Sequence, residues 1–231
     1  MLGTIVNSLA IIVGSLLGIG IKKGIKDDYK NTIMDGIGLA VIVIGIMGGI
    51  KSENIILVIG SVVLGSIIGE VIGIENKLDN LGNSLQSKFG GKDSNFSKGF
   101  VTASLVYCVG AMAIVGSLES GIQGNHETLF AKSILDGISA VIFASTLGIG
   151  VAFSSIPVFI YQGSITLLAN FVKDLLTTQV VNEMSAVGGL LIMAIGINIL
   201  GIKKIKVGNM LPAVFIPIIY HILVNLVNLI R

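Results

Sequence analysis

The residues of this chain best placed to do chemistry are oxygen- and amide-bearing side chains set inside long apolar runs. From Ser133 to Phe153, the residues Asp136, Ser139, Thr146 and Gly150 recur at steps of three, seven and four, which puts them on one face of a helix. The next apolar run, Pro157 to Val172, carries Gln162 and Thr166 one turn apart, with Asn170 nearby. A carboxylate, an amide and hydroxyls converging in hydrocarbon make a hard-oxygen site, suited to a small cation or to hydrogen bonding a polar solute. A second reading of Asp136 stands beside this one: an interface carboxylate near a helix start, stabilised by the helix dipole.

Further polar groups extend the candidate set. Asn7 in the first apolar run and Glu119 at the outer end of the fourth are secondary binding residues, with simple solvation the competing reading for Glu119. Three others are candidates for a proton relay or gate. His221 shares a helix face with Asn225 and Asn228, and imidazole is a side chain suited to relaying protons, although a membrane histidine also serves as a hydrogen-bonding link to a neighbouring helix. Glu70 either snorkels to the interface or is buried, and Asp35 is either a vestibule charge or a helix N-cap. Gly163, between Gln162 and Ser164, offers a helix break that would free carbonyls for an ion, and Pro212 and Pro217 predict a kink in the last helix.

These groups need a scaffold, and composition says which. Hydrophobic residues make up 53% of the 231 and charged residues 12%, with mean hydropathy +0.94, far from the roughly 25% charged share of a soluble domain. A membrane β-barrel would show short strands of alternating polarity with aromatic girdles, whereas this chain has unbroken apolar runs, no Trp and 6% aromatics. The class is therefore an all-α polytopic transmembrane helical bundle, read as a single domain over residues 1–231.

About eight spans are predicted: Leu2 to Ile21, Ile33 to Ile50, Ile55 to Ile74, Phe100 to Leu118, Ser133 to Phe153, Pro157 to Val172, Ser185 to Ile202 and Leu211 to Ile230. The sixth is short and follows the fifth through Ser154-Ser155-Ile156-Pro157, so the two are expected to form a tight hairpin; if the sixth is re-entrant, seven spans remain. The polar stretch from about 75 to 98 is expected to be a solvated cytoplasmic loop, and Glu119 to Lys132 a connection on the other side.

Of the 15 Lys and Arg residues, eleven follow spans one, three and seven; only Lys51, Lys132, Lys173 and Arg231 fall on the opposite face. Basic residues concentrate on the cytoplasmic side, so both termini are predicted outside. Met1-Leu2-Gly3 lacks a basic n-region, and the first span is expected to be retained.

Function classes narrow as well. There is no His-Glu-x-x-His motif, no Gly-x-Ser-x-Gly elbow and no phosphate-binding loop, and the chain has two His and one Cys, Cys108. No enzyme activity, cofactor or metal is expected. Net charge is +2 with no basic patch interleaved with aromatics, which argues against nucleic acid as a partner.

Glycine contributes 31 residues at regular spacing, including Gly3, Gly14 and Gly18 in span one, Gly38, Gly45 and Gly49 in span two, and Gly65, Gly69 and Gly73 in span three. Small residues four apart let helix backbones approach closely, within the bundle or across a homo-oligomer interface. Short echoes suggest an inverted repeat. Gly14-Ser15-Leu16-Leu17-Gly18 resembles Gly65-Ser66-Ile67-Ile68-Gly69, and Asp35-Gly36-Ile37-Gly38 resembles Asp136-Gly137-Ile138-Ser139. A third echo matches Gly38-Leu39 and Ile44-Gly45-Ile46 with Gly189-Leu190 and Ile195-Gly196-Ile197. Inverted repeats are a mark of secondary transporters.

Four segments in order carry a family resemblance: Gly3-x-x-x-Asn7 through Gly14 and Gly18; Gly110-Ala111-Met112-Ala113-Ile114-Val115-Gly116-Ser117; Leu135-Asp136-Gly137 with Gly148-Ile149-Gly150-Val151; and Tyr161-Gln162-Gly163-Ser164-Ile165-Thr166-Leu167. On these the chain resembles the bacterial membrane family called domain of unknown function 554, over essentially its whole length. The resemblance implies a bacterial plasma membrane location and carries no activity with it. The functional expectation is a transporter or channel for a small ion or polar solute, sited between helices five and six. The alternative is a non-transport scaffold or sensor assembling through glycine-rich faces. Membrane lipid and the solute are the expected partners.

Overall fold

A computed structural model describes the chain except for residues 23–26, 91–94, 109–110, 173–174 and 231. The described residues are mainly helical and include no strand: α1 (Leu2–Lys22), α2 (Asp27–Gly49), α3 (Ile55–Ile72), α4 (Ile74–Leu85), a π turn (Gln86–Gly90), α5 (Phe96–Cys108), α6 (Ala111–Ile122), α7 (Glu127–Leu147), α8 (Gly150–Phe153), α9 (Ser155–Val172), α10 (Thr178–Ile199), α11 (Val207–Met210), a 3₁₀ turn (Leu211–Phe215) and α12 (Ile216–Ile230). Among the described residues seven continuous segments are long and apolar enough to cross a bilayer, and an eighth is obtained if α5 and α6, whose axes differ by 60°, cross as one. Outward faces such as Leu9, Val13, Leu16 and Leu17 on α1 and Ile56, Ile59, Val63 and Ile67 on α3 are exposed large hydrophobics, the surface that lipid covers.

The chain divides into two units, each drawn from separate stretches of sequence: residues 1–37, 76–108 and 112–170 in the first, and 38–75, 109–111 and 171–231 in the second. In the first unit α1 and α7 lie side by side and parallel. Gly3 meets Leu129, Gly14 rests on the backbone carbonyl of Gly137, and Gly18 on that of Val141. Each of these glycines sits where a Cβ would collide with the neighbouring chain, which is why the stripe is glycine. At the far end of α7, Gly148 takes φ 82° and ψ −162°, a conformation open only to glycine, and the helix stops there. The chain turns through α8, where Gly150 packs on Phe96 and the Phe96 and Phe153 rings lie 5.1 Å apart. It then returns along α9 until Thr166 reaches Thr4 at the start of α1. Thus α9 runs antiparallel to α1 and α7, a helical hairpin with α7.

In the second unit α2 and α10 cross on their glycines, Gly45 against Gly189 and Gly38 against Gly196. Asn54 caps α3, its side chain accepting from Leu57 N at 3.1 Å, and Gly73 ends that helix with φ 69°. Gly65 and Gly69 lie against Ala213 and Asn209.

Several boundaries differ from those predicted. The predicted fourth span falls on the α5–α6 pair, bent by 60°, rather than on a straight helix, whereas the sixth is a full helix that passes through Gly163 unbroken. The fifth begins at Glu127, not Ser133, and ends at Gly148 rather than Phe153. Lys132 therefore lies in a helix and is 7% exposed instead of sitting in a loop; Asp136, four residues on, neutralises it there. The seventh begins at Thr178, so Glu183 is helical and buried. Much of the stretch 75–98 is helical (α4, the π turn and the start of α5), because Gly82 gives α4 a flat side that rests on Ser97. Pro212 and Pro217 fall in the 3₁₀ turn and the first turn of α12, where a missing N–H removes no helical bond.

Candidate functional site

The polar groups of the first unit gather at the end where α1 and α7 begin. Asp136 is 6% exposed, and Lys132, one turn before it on α7, places its ammonium 3.0 Å from Oδ1 and 2.9 Å from Oδ2. The spacing of four sets the two side chains on one face, and the shared burial lets each charge serve as the other's solvent. From α1, Asn7 donates its Nδ2 proton to Asp136 Oδ2 at 3.0 Å. One turn earlier, Thr4 Oγ1 lies 3.5 Å from Thr166 Oγ1 on α9. The two polar stripes of α7 and α9 are thus joined through α1, which supplies a residue to each.

Gln162 stands apart in this cluster. It is fully buried, one turn from Thr166, and neither its Nε2 nor its Oε1 has a hydrogen-bonding partner among the described residues. Asn7 Oδ1, Ser8 Oγ and Ser117 Oγ are likewise buried without partners among those residues. Leaving a buried donor or acceptor unsatisfied costs about 1–3 kcal/mol, which makes these atoms the ones whose hydrogen bonding the described residues do not account for.

The other predicted residues are distributed more widely. Ser139 donates to its own helix at the Asp136 carbonyl (3.0 Å) and lies 3.4 Å from the Tyr107 hydroxyl. Thr146 bonds back to Phe143 O at 3.0 Å and sits about 15 Å along the axis from Asp136, so it does not join the cluster. Gly150 lies beyond the end of α7, and Asn170 is exposed. Glu119, half-buried on α6 rather than freely solvated, accepts a 2.6 Å hydrogen bond from Thr128. Asp35 is exposed on α2 eight residues after the helix begins, and so is not its N-cap.

Glu70 and His221 belong to the second unit. Glu70 is exposed, pairing with Lys206 at 2.7 Å and accepting from Asn209 Nδ2 at 2.6 Å. His221 contacts Asn225 through Nε2 at 3.1 Å and lines a cleft of about 340 Å³ with Asn54, Gln179, Tyr220 and Glu183. Glu183, 2% exposed, accepts from the Ser52 hydroxyl (2.7 Å) and from the backbone N–H groups of Glu53 (2.9 Å) and Asn54 (3.0 Å). It closes the turn that opens α3. Sequence reasoning passed over Glu183 and Lys132 because both were placed outside the spans. The signal for Lys132 was its distance of four from Asp136.

Apolar spans, glycine-cut helix contacts and a buried, internally paired polar cluster define a multi-pass α-helical membrane protein. The chain matches the family described as "Protein of unknown function (DUF554)" over residues 2–222 and belongs to that family. It is 39% identical over 221 residues to "Uncharacterized membrane protein YdfK" of Bacillus subtilis (strain 168), covering 94% of each chain. It is 32% identical over 221 residues to "Uncharacterized protein YqgA" of Escherichia coli (strain K12), again covering 94% of each. No solved structure matches it.

Proposed function

We propose that the chain is a permease or channel for a small polar solute, with its site at the junction of α1, α7 and α9. The observation that supports this reading is the buried constellation of Asp136, Lys132, Asn7, Thr4, Thr166 and the unpartnered Gln162. Intramembrane ionisable groups are costly and concentrate along solute and ion pathways. Because Lys132 cancels the charge of Asp136, the site favours a polar solute over a bare cation. The protein sits in a bacterial plasma membrane with both termini outside, as the distribution of Lys and Arg argues.

The scaffold or sensor alternative rests on glycine faces free to assemble. Gly14, Gly18, Gly45, Gly65, Gly69, Gly189 and Gly196 are all occupied by helix contacts within their own units, which leaves that alternative without a specific observation in its favour. The test is uptake into proteoliposomes across a panel of cations, anions, amino acids and uncharged solutes. Flux of at least one, reduced by Asp136→Asn, is expected; a protein inert to every solute, or one indifferent to that change, refutes the reading.

A further inference from the structure

We propose that the cluster takes a small uncharged solute of the carboxamide or urea type, with Gln162 as the residue that recognises it. This inference rests on the permease reading and adds a substrate class to it.

The first observation is where the unsatisfied groups lie. Six serine hydroxyls in these helices, those of Ser133, Ser139, Ser145, Ser154, Ser155 and Ser185, bond back to carbonyls of their own helix, whereas Ser15 and Ser61 are buried without a partner among the described residues. So are Ser8 and Ser117. Among the described residues seven buried side-chain atoms have no partner, and five of them are Asn7 Oδ1, Ser8 Oγ, Ser117 Oγ and the two ends of the Gln162 amide. The four residues that carry them stand three or four positions along their helices from Thr4, Thr166 or Gly121, and both Thr4 and Gly121 touch the Thr166 segment. Asn7 and Ser8 follow Thr4, Gln162 precedes Thr166, and Ser117 precedes Gly121. Because α1 and α9 are antiparallel, the step from Thr4 to Ser8 and the step from Thr166 to Gln162 go the same way into the unit.

The second observation is charge. The carboxylate is already held by an ammonium at 2.9 Å and an amide at 3.0 Å, so no free charge remains for an ion. What remains is an inventory of neutral donors and acceptors. Gln162 presents an N–H donor and a carbonyl acceptor side by side. Their complement is another group with adjacent acceptor and donor, and a primary amide or urea closes two parallel hydrogen bonds with it. The second N–H of such a solute suits Asn7 Oδ1, which can only accept, while hydroxyls adapt to either role.

The experiment is stopped-flow light scattering of proteoliposomes challenged separately with acetamide, urea, glycerol, glycine and sodium chloride, using the wild type and Gln162→Met. The wild type is expected to accelerate acetamide and urea over protein-free vesicles, and not glycerol, glycine or salt. Methionine matches glutamine in length and removes both unsatisfied atoms, so Gln162→Met should fold with an unfolding temperature unchanged or raised. Its amide and urea permeability should fall about tenfold or more, the equivalent of one or two hydrogen bonds. Flux of glycine or salt without acetamide and urea overturns the substrate class and leaves the permease reading standing. Equal acceleration of glycerol, or full amide flux in folded Gln162→Met, also overturns the class. Silence toward all five overturns it, and silence across the wider panel removes the permease reading too.

Discussion

Removing the ammonium beside Asp136 tests whether the first unit is built around an ion pair or merely contains one. In Lys132→Met the carboxylate stays 6% exposed with Asn7 as its only remaining side-chain partner among the described residues. At 2.9 Å and an effective dielectric of about 20 the lost attraction is about 6 kcal/mol, part of which was offset by desolvation in the intact pair. Breaking one side of a buried pair typically costs about 3–5 kcal/mol. At about 2–4 °C per kcal/mol for a chain of this size, the unfolding temperature should drop by about 6–20 °C. Adding Asp136→Asn removes the stranded charge while keeping an acceptor for Asn7, so the double variant should recover most of the loss. The chain has no Trp and a single cysteine, Cys108 at the end of α5, so a thiol-reactive dye reports unfolding of detergent-solubilised protein directly. A Lys132→Met protein within about 1 °C of the wild type, or a double variant as unstable as the two single losses added together, would refute the reasoning.

The same dye assay should find Glu183→Ala destabilised by at least about 2 kcal/mol, because the Ser52 hydroxyl and two backbone N–H groups lose their acceptor; an unchanged midpoint would show that the turn before α3 does not depend on it. Gly18→Leu pushes a side chain into the Val141 backbone carbonyl and should cost about 1–3 kcal/mol or more, whereas Gly20→Leu, with open space around it, should be tolerated; equal behaviour of the two in size-exclusion profiles and melting would contradict the packing argument. Fusions at either terminus should give active alkaline phosphatase and dark green fluorescent protein, and fusions after Lys88 or Lys203 the reverse; the opposite pattern would invert the orientation.

Much of the scaffold was legible in the sequence because its signals are local. Apolar runs of bilayer length and glycines four apart follow from what lipid demands of a helix, and neither depends on the rest of the fold. Helix ends were less legible. Charge was treated as a mark of loops, yet Lys132 and Glu183 are carried into helices by partners, Asp136 at i+4 and the 52–54 turn respectively, and only the first of these lies close in sequence. The same limit applied to the candidate site. Asp136, Gln162 and Thr166 stood out as polar groups in hydrocarbon, whereas the role of α1 between them depends on Gly14 and Gly18 fitting against α7, a contact 123 residues apart in the case of Gly14 and Gly137. Thr4 carried no signal of its own.

The repeated motifs bear on how such a protein is organised, and the three echoes do not fare alike. Asp35 is exposed while Asp136 is buried, so that echo joins unlike environments. Gly14 and Gly18 pack on the parallel helix α7, whereas Gly65 and Gly69 meet Ala213 and Asn209 in reversed order, so that echo joins unlike contacts. The third is different. By sequence Gly38 corresponds to Gly189 and Gly45 to Gly196; in space Gly38 lies on Gly196, and Gly45 lies on Gly189. Each glycine therefore meets the counterpart of the other, which is the reciprocity of an isologous, two-fold contact between antiparallel helices. That is the local geometry an inverted repeat requires. The contact itself is one of packing, made by glycine backbones and by apolar side chains such as Ile42 and Leu200.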